Sequence, residues 1–243
     1  MEKLIGEIKQ KPEFKDLPDS FIKKILQNYI DKHNLPIPDN KKSRKLLIKI
    51  IRSELRTSAG QYVGKNRNSK DALSYHKSTN ERLNEYDYIK SKIEELNAQS
   101  ILDLGCGMNP IAIAKKGIRY YAYDIKYEYL DRIKEHFIEN NITGEVHHED
   151  ITQITEFPQV DLCLMLKLLD ILGKNKKEIS KKLITKIDSE YFIISFATKT
   201  LSGKEMNRPY RRWFEKLLKE LKLECEIHRT SNELFYIIKK SKK

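Results

Sequence analysis

The chain has 243 residues and a hydrophobic fraction of 39%, which is enough to bury a core and argues against wholesale disorder. Its formal net charge of +12 makes a polyanion such as nucleic acid the first partner to consider, although a lysine-rich composition alone would give the same sign. The three cysteines lie far apart without a CxxC pair, so we predict neither a metal site nor a disulfide framework. The charged N-terminus, without a long apolar run, predicts a cytoplasmic protein with no signal peptide and no membrane contact.

The first 75 residues have the pattern of a basic helical unit, with 17 Lys and Arg against 9 Asp and Glu. Apolar residues at helical spacing predict a helix that is capped by Asp19 or Ser20 and ends before Leu35-Pro-Ile-Pro38. A further helix begins near Asp39 and has a face rich in Lys and Arg. Its apolar face is formed by Leu46, Leu47, Ile50, Ile51 and Leu55. Because the basic residues lie on the face of this helix opposite its apolar face, we predict that the unit docks on RNA. The alternative is a solvated face on a small packing domain.

Residues 58–77 combine glycine, asparagine and serine with lysine and arginine, which is typical of a flexible basic linker. Ser78-Thr-Asn-Glu81 has the pattern of a capping box and predicts a helix that runs from there to about Asn97. We therefore divide the chain into a helical extension with its linker, residues 1–75, and a second domain, residues 76–243.

From residue 100 onward, short apolar runs alternate with helical patterns. Strands are predicted over 100–104, 120–124, 145–148, 160–166 and 191–196, and helices over 111–116, 129–140, the residues leading to 186, and 210–221. The runs 224–229 and 233–239 predict a terminal hairpin. Alternating strands and helices predict a parallel sheet. With an antiparallel last strand, it fits the seven-stranded, Rossmann-like α/β fold of class I S-adenosylmethionine (SAM) methyltransferases.

The sequence Ile101-Leu-Asp-Leu-Gly-Cys-Gly-Met-Asn-Pro110 places a glycine-rich turn directly after the first strand of this sheet. Glycine lets the backbone turn tightly and approach a ligand, and in nucleotide-binding sheets this turn borders the ligand crevice. A dinucleotide site requires a third glycine, and a Walker loop requires Gly-Lys-Ser/Thr; neither is present. SAM has no phosphate group to seat. We therefore predict that Gly105, Gly107 and Asn109 bind SAM.

Three acids stand at the ends of successive predicted strands beside this turn. Asp103 lies where an acid would face the SAM ammonium, directly or through water. Asp124, 19 residues after the first glycine of the turn, lies where a carboxylate would accept the ribose hydroxyls. Asp150 lies where an acid would meet the adenine amino group, and Ile125 and Ile151 complete the predicted adenosine pocket. Each acid alone is an ordinary strand-end or capping residue, but the set of three beside the glycine turn favours a SAM site.

Five segments resemble the aminoglycoside-resistance 16S rRNA (guanine-N7) methyltransferases. They are His76-Lys-Ser-Thr-Asn-Glu-Arg-Leu83, Cys106-Gly-Met-Asn-Pro110, Met165-Leu-Lys167, Ser195-Phe-Ala-Thr-Lys-Thr-Leu-Ser-Gly203 and Asn232-Glu-Leu234. The resemblance covers roughly residues 70–240, and it extends to the N-terminal helices only by type. Lys204-Glu-Met-Asn-Arg208 matches the family's next Arg and Gly residues loosely, so the resemblance supports rRNA methylation better than it supports one particular guanine.

The resemblance implies an enzyme that uses SAM to methylate N7 of a guanine in the decoding region of 16S rRNA, within the 30S ribosomal subunit; we expect a monomer. It implies that Arg82 pairs with the methionine carboxylate of SAM, for which a guanidinium fork is suited. Lys167 is then expected either to hold a substrate phosphate or simply to begin the next helix, and Lys199 is expected to contact a phosphate of the target nucleotide. Phe196 is expected either to stack on an extruded base or to lie in the core.

Guanine N7 carries an in-plane lone pair and no proton, so its methylation needs no general base. Catalysis then consists of holding N7, the methyl carbon and the sulfur in line. Two alternatives stay open: a SAM enzyme that acts on another RNA or a small molecule, and a non-catalytic RNA-binding or ribosome-assembly protein on the same fold. We also expect that removal of residues 1–57 abolishes subunit binding and spares SAM binding.

Overall fold

A computed structural model describes residues 1–58, 82, 85–173, 175–200, 203–207 and 209–240. The strands within these ranges are β1 Ser100–Leu104, β2 Arg119–Asp124, β3 Gly144–His148, β4 Val160–Leu166, β5 Ser189–Ala197, β6 Cys225–Arg229 and β7 Glu233–Lys239. They form one sheet in the order β3-β2-β1-β4-β5-β7-β6. The first five strands are parallel, whereas β7 runs antiparallel to both β5 and β6. This is the predicted seven-stranded topology.

The helices of the described ranges are α1 Glu2–Lys9, α2 Asp19–His33, α3 Lys41–Ser58, α4 Tyr86–Glu95, α5 Asn109–Ile113, α6 Tyr127–Glu139, α7 Lys176–Lys186 and α8 Arg212–Glu220. The strand order reverses between β1 and β4. In open α/β sheets, ligands bind in the crevice at the carboxyl ends of the strands beside such a switch point. The fold therefore predicts a ligand site at the residues that follow β1 and β4.

The core of the sheet domain has two sides because neighbouring residues of a strand point to opposite faces. Leu102 and Leu104 of β1 pack into one hydrophobic cluster, whereas Ile101 of the same strand packs into another. A third cluster holds α1, α2 and α3 together, with Ile22, Ile51 and other fully buried side chains at its centre. The N-terminal helices therefore have a core of their own.

Two local predictions in the N-terminal helices are wrong. Pro18 is the N-cap of α2, so Asp19 and Ser20 lie inside the helix and neither caps it; Asp19 instead pairs with Lys9 of α1 at 2.6 Å. In α3, Leu46 is 60% exposed because the face that meets α1 and α2 follows positions 47, 48, 51 and 55.

Several predicted features lie outside the described residues. They are the linker beyond residue 58, the boundary between residues 75 and 76, and the capping box at 78–81. Within the described ranges, no helix is long and apolar enough to cross a membrane. The same ranges contain no group of three or more His, Cys, Asp or Glu side chains placed to hold a metal ion.

Candidate active site

The glycine turn after β1 has a backbone that only glycine adopts without strain. The φ angle is +63° at Gly105 and +52° at Gly107. A Cβ atom at Gly105 would lie 2.8 Å from Cδ1 of Leu168, which follows β4, so a side chain here would require the end of Leu168 to shift. The Cys106 amide donates a hydrogen bond to the Tyr123 carbonyl at 3.0 Å and anchors the turn to β2. Gly105 thus allows a close contact between the turn after β1 and the residue that follows Lys167 at the end of β4.

Asp124, the last residue of β2, has a carboxylate held in one orientation by backbone amides. Its Oδ2 accepts a hydrogen bond from the Gly107 amide at 2.9 Å, and its Oδ1 accepts one from the Lys126 amide at 2.9 Å. A carboxylate has about four acceptor positions, so each oxygen keeps capacity for a ligand hydroxyl. The side chain therefore ties the glycine turn to the second strand and remains able to accept hydrogen bonds.

Asp103 is fully buried in β1 and belongs to a polar cluster beneath the glycine turn. Its Oδ2 accepts hydrogen bonds from the Tyr120 hydroxyl at 2.8 Å and from the side-chain amide of Asn109 at 3.4 Å. Burial raises the pKa of Asp103 to about 7, against the lowering effect of these two hydrogen bonds. Asn109 Oδ1 in turn accepts hydrogen bonds from Arg82 at 2.6 Å and from the Tyr86 hydroxyl at 3.0 Å. Asn109 therefore links Asp103 to Arg82.

Arg82, Lys167 and Glu233 form a buried charge cluster. Glu233, the first residue of β7, is 0% exposed; its Oε1 lies 2.6 Å from Nε of Arg82 and 3.3 Å from Nζ of Lys167. The Ser195 hydroxyl donates a hydrogen bond to the other oxygen of Glu233. Burial alone would raise the pKa of Glu233, but Arg82 and Lys167 hold it below its ordinary value. Burial likewise opposes the charge on Arg82, yet the Glu233 carboxylate raises the pKa of Arg82 above its ordinary value.

The backbone places Lys167 in this cluster. Lys167 follows β4 and has a left-handed φ of +54°. Its amide donates to the Ser195 carbonyl at 3.0 Å, so the end of β4 stays bound to β5 while its backbone turns. A left-handed conformation at a residue other than glycine costs free energy of order 1–3 kcal/mol and is concentrated at functional sites. The turn at Lys167 thus gives the end of β4 a strained backbone beside the buried charge cluster.

Two atoms of this connected network are buried without a hydrogen-bond partner among the described residues: Nη2 of Arg82 and Oδ1 of Asp103. The first is a cationic donor, and the second is an acceptor. An unsatisfied buried polar group costs about 1–3 kcal/mol, so such atoms mark places where a ligand can bind. A ligand that offers a carboxylate and an ammonium group, as an α-amino acid does, would satisfy both atoms.

Asp150, just beyond β3, is only 5% exposed and already has partners. Its Oδ1 accepts hydrogen bonds from the amide of Thr152 at 3.0 Å and from the hydroxyl of Thr152 at 2.8 Å. Its Oδ2 pairs at 3.1 Å with Nζ of Lys24, a residue of α2. The predicted adenine acid is therefore oriented from the N-terminal helices, a contact that the sequence did not indicate. Ile151, the next residue, is buried in the hydrophobic core.

The sequence profile of the family described as "Ribosomal RNA methyltransferase (FmrO)" matches residues 37–237 of this chain. The chain belongs to the FmrO family of ribosomal RNA methyltransferases. A Serratia marcescens relative named 16S rRNA (guanine(1405)-N(7))-methyltransferase is 32% identical over 177 residues, which cover 71% of this chain and 70% of the relative. A Micromonospora rosea relative of the same name is 27% identical over 177 residues, covering 70% of this chain and 65% of the relative. The resemblance predicted from the five segments is thereby confirmed.

Solved structures confirm the class I SAM methyltransferase fold of this FmrO family member. The 16S rRNA methylase RmtB aligns with a TM-score of 0.78 at 23% identity, covering 99% of this chain and 98% of RmtB. The 16S rRNA methyltransferase RmtF, solved with S-adenosyl-L-homocysteine, aligns with a TM-score of 0.80 at 19% identity, covering 99% of this chain and 98% of RmtF. Both alignments extend over the N-terminal helices as well as the sheet.

In this FmrO family member, Lys199 lies beside the buried charge cluster and Phe196 lies in the core. Nζ of Lys199 donates to Oδ1 of Asn232 at 2.8 Å, one residue before Glu233. Phe196 is 1% exposed, and its ring centroid lies 5.2 Å from that of Phe214. The structure therefore corrects the predicted stacking role: a ring enclosed by other aromatic side chains presents no face to a base. The alternative, a core aromatic, describes Phe196.

Sequence reasoning missed the polar partners that hold the predicted site residues. Glu233 and Ser195 belong to two of the family segments but were given no role, and Tyr120 was not singled out. Each of the three lies in a strand whose other residues have the pattern of a core strand. One signal was available for Glu233, since a glutamate that opens the apolar strand β7 and becomes buried requires a cationic partner. Of the first family segment, the structure describes only Arg82; His76 and the other residues of that segment lie outside the described residues.

Proposed function

We propose that this FmrO family member transfers a methyl group from SAM to N7 of a guanine in the decoding region of 16S rRNA. The Serratia marcescens and Micromonospora rosea relatives carry the name 16S rRNA (guanine(1405)-N(7))-methyltransferase, and we propose the equivalent guanine as the target. One observation in the structure carries the cofactor assignment: the unpaired Nη2 of Arg82 and the unpaired Oδ1 of Asp103 stand in one buried network beside the glycine turn.

The residues present fit SAM along its length. Arg82 would bind the carboxylate of the methionine moiety, and Asp103 would bind its ammonium group. Asp124 would accept the ribose hydroxyls, and Asp150 would face the adenine amino group, with Ile125 and Ile151 beside the ring. Bound there, SAM supplies an electrophilic methyl group on a sulfonium centre.

The chain's own contribution to the reaction is positioning. Guanine N7 attacks with an in-plane lone pair and releases no proton, so no side chain has to act as a general base. Precise orientation of two reactants contributes about 7–11 kcal/mol in well-arranged systems. Lys199, on the loop after β5, would bind a phosphate group of the target nucleotide and help to hold N7 in line. The phosphate role predicted for Lys167 does not fit the structure, because its side chain is 8% exposed and paired with Glu233; Lys167 would instead hold the end of β4 in place.

The substrate we propose is the assembled 30S ribosomal subunit, approached by a monomer of this protein in the cytoplasm. Helix α3 supports this choice of substrate, because it exposes Lys41, Lys42 and Lys45. These positive side chains are suited to the phosphate backbone of RNA. The compact decoding region would have to open locally before N7 could reach the methyl group.

The test is methyl transfer from labelled SAM to purified, unmodified 30S subunits, followed by cleavage mapping of N7-methylguanine. A single modified guanine in the decoding region is the expected result. Methylation at another nucleotide would retain the enzyme class and contradict the proposed target. No transfer to 30S subunits, free rRNA, tRNA or small molecules, with SAM bound, would favour a non-catalytic RNA-binding protein instead.

Replacing Asp124 with alanine is expected to reduce SAM affinity by at least about a hundredfold, because two hydrogen bonds to a charged acceptor are lost at about 1.5–3 kcal/mol each. Isothermal titration with SAM measures the effect, and circular dichroism checks the fold. Glu128→Ala is the matched control, since Glu128 lies four residues later and is exposed. Equal SAM affinity in the Asp124 variant and the wild type would contradict the ribose assignment.

SAM affinity is expected to rise with pH up to about 7, the pKa to which burial raises Asp103. Below that pH the free enzyme holds a proton on Asp103, and this proton must leave before the carboxylate can pair with the SAM ammonium. Well below pH 7 the increase approaches about tenfold per pH unit, and it levels off near pH 7; the α-amino group of SAM itself deprotonates only near pH 8. Titrations between pH 5.5 and 8 (about half-unit steps) test this, with Asp103→Asn expected to give weak, pH-independent binding. An acid limb that persists in Asp103→Asn would assign the titration to another group.

A further inference from the structure

Lys24 of α2 connects the N-terminal helices to the end of β3. Its Nζ lies 3.1 Å from Oδ2 of Asp150 and also donates a hydrogen bond to the hydroxyl of Thr152. The side chain of Asp150 is 4% exposed, and that of Lys24 is 28% exposed. A charge pair in which one partner is buried to this degree is screened far less than a surface pair, so it fixes the orientation of the carboxylate.

A second contact joins the same two parts of the chain one strand away. Ile125, which directly follows Asp124 at the end of β2, packs against the hydrophobic cluster of α1, α2 and α3. The N-terminal helices therefore touch the ends of both β2 and β3. These are the strand ends that, under the proposed function, bind the ribose and the adenine of SAM.

We propose that Lys24 is a positioning residue for the adenine end of the cofactor site, so that the N-terminal helices form part of that site as well as an RNA-docking surface. This inference rests on the proposed function. It replaces the expectation that removal of residues 1–57 spares SAM binding, because that removal would take away the partner of Asp150 and the apolar surface behind Ile125.

The Asp150 carboxylate can accept one hydrogen bond beyond those from Thr152 and Lys24. Among the described residues, Thr152 contributes two hydrogen bonds to Oδ1, and Lys24 contributes one contact to Oδ2. A carboxylate has about four acceptor positions, which leaves one on Oδ2 for an additional donor. The amino group of adenine is such a donor, whereas hypoxanthine has a carbonyl oxygen at the same ring position. An oriented Asp150 carboxylate would therefore select adenine over hypoxanthine.

The experiment compares two ligands, S-adenosyl-L-homocysteine and S-inosyl-L-homocysteine, by titration against the full chain. The wild type is expected to prefer the adenosyl ligand. In Lys24→Met, affinity for the adenosyl ligand is expected to fall about tenfold or more, as for a lost hydrogen bond to a charged group, while affinity for the inosyl ligand changes little. Lys24→Arg should restore the preference. Lys23→Met is the matched control, because Lys23 is the preceding residue of α2 and is exposed.

The outcomes separate this inference from the proposed function. Unchanged discrimination in Lys24→Met would overturn the positioning role while leaving SAM binding in place. An equal loss for both ligands would also overturn it, since that result describes general loosening of the fold, which thermal denaturation of the ligand-free variants would reveal. A wild type that binds neither ligand would overturn the proposed function, and the inference with it.

Discussion

Replacing Glu233 with glutamine is expected to lower the free energy of unfolding by about 3 kcal/mol and to abolish measurable SAM binding. The substitution keeps the shape of the side chain but removes its charge. Arg82 and Lys167, whose charged groups lie 2.6 Å and 3.3 Å from Oε1 of Glu233, would then be buried without that counter-charge. Because Nε of Arg82 is held by Glu233, the orientation of the unpaired Nη2 is lost at the same time. Urea denaturation and titration with SAM measure the two effects.

The neighbouring strand offers a matched control for this prediction. Glu226 lies on β6, has a side chain that is 58% exposed, and pairs with Lys92 at 3.3 Å. Glu226→Gln is expected to change the free energy of unfolding by less than about 1 kcal/mol, because exposed pairs are screened by water. Similar values for the two variants would mean that Glu233 contributes no more than a surface glutamate.

The Glu233 substitution also has a pH signature with a defined sign. The folded-state pKa of Glu233 lies below its ordinary value because Arg82 and Lys167 outweigh burial. Its contribution to stability is therefore present above the ordinary glutamate pKa and is lost as the pH falls through the lowered folded-state pKa. The difference in stability between the wild type and Glu233→Gln should accordingly stay constant from pH 7 down to the ordinary glutamate pKa of about 4.3, and narrow below it. A gap that stays constant below that pH as well would show that Glu233 is already protonated in the fold.

The sheet was predictable because its signal is local. Each of the first five strands is a short apolar run between helical patterns, and β4, Val160–Leu166, has the predicted bounds. The length of the helix after β1 was not predictable from such a local pattern. The helix predicted over 111–116 is one short turn, Asn109–Ile113, because Pro110 begins it and the chain extends again at Ala114.

Residues of the candidate site were predictable where the conformation or chemistry of a single position restricts the residue type. Gly105 needs a left-handed backbone, and an acid within the apolar first strand needs a polar partner or ligand, so both could be identified from their positions. The pairing of Arg82 with Glu233 joins residues 151 positions apart, and that of Lys24 with Asp150 joins residues 126 positions apart. Neither pair has a sequence pattern, since only the packing of the closing hairpin and of α2 brings the partners together.

Gly105→Ala is expected to be the most damaging small substitution in the glycine turn. An alanine with a φ of +63° costs about 1–2 kcal/mol, and its Cβ, 2.8 Å from Cδ1 of Leu168, requires the end of that side chain to shift, which adds about 1 kcal/mol of overpacking. Leu168 is buried and directly follows Lys167, so the displacement reaches the end of β4. Because a shift of about 1 Å can reduce catalysis about a hundredfold, methyl transfer should fall by at least that factor.

Gly117→Ala separates the two causes of that loss. Gly117 has a φ of +92°, yet a Cβ atom there would meet nothing within 4 Å. This variant should therefore show the backbone cost of about 1–2 kcal/mol and keep its methyl transfer to 30S subunits. The comparison uses urea denaturation for stability and initial rates with saturating SAM for activity. If Gly105→Ala retained wild-type activity with only the stability loss of Gly117→Ala, Leu168 would have moved aside without disturbing Lys167. The close approach of β1 and β4 would then be a packing feature and not a requirement of the reaction.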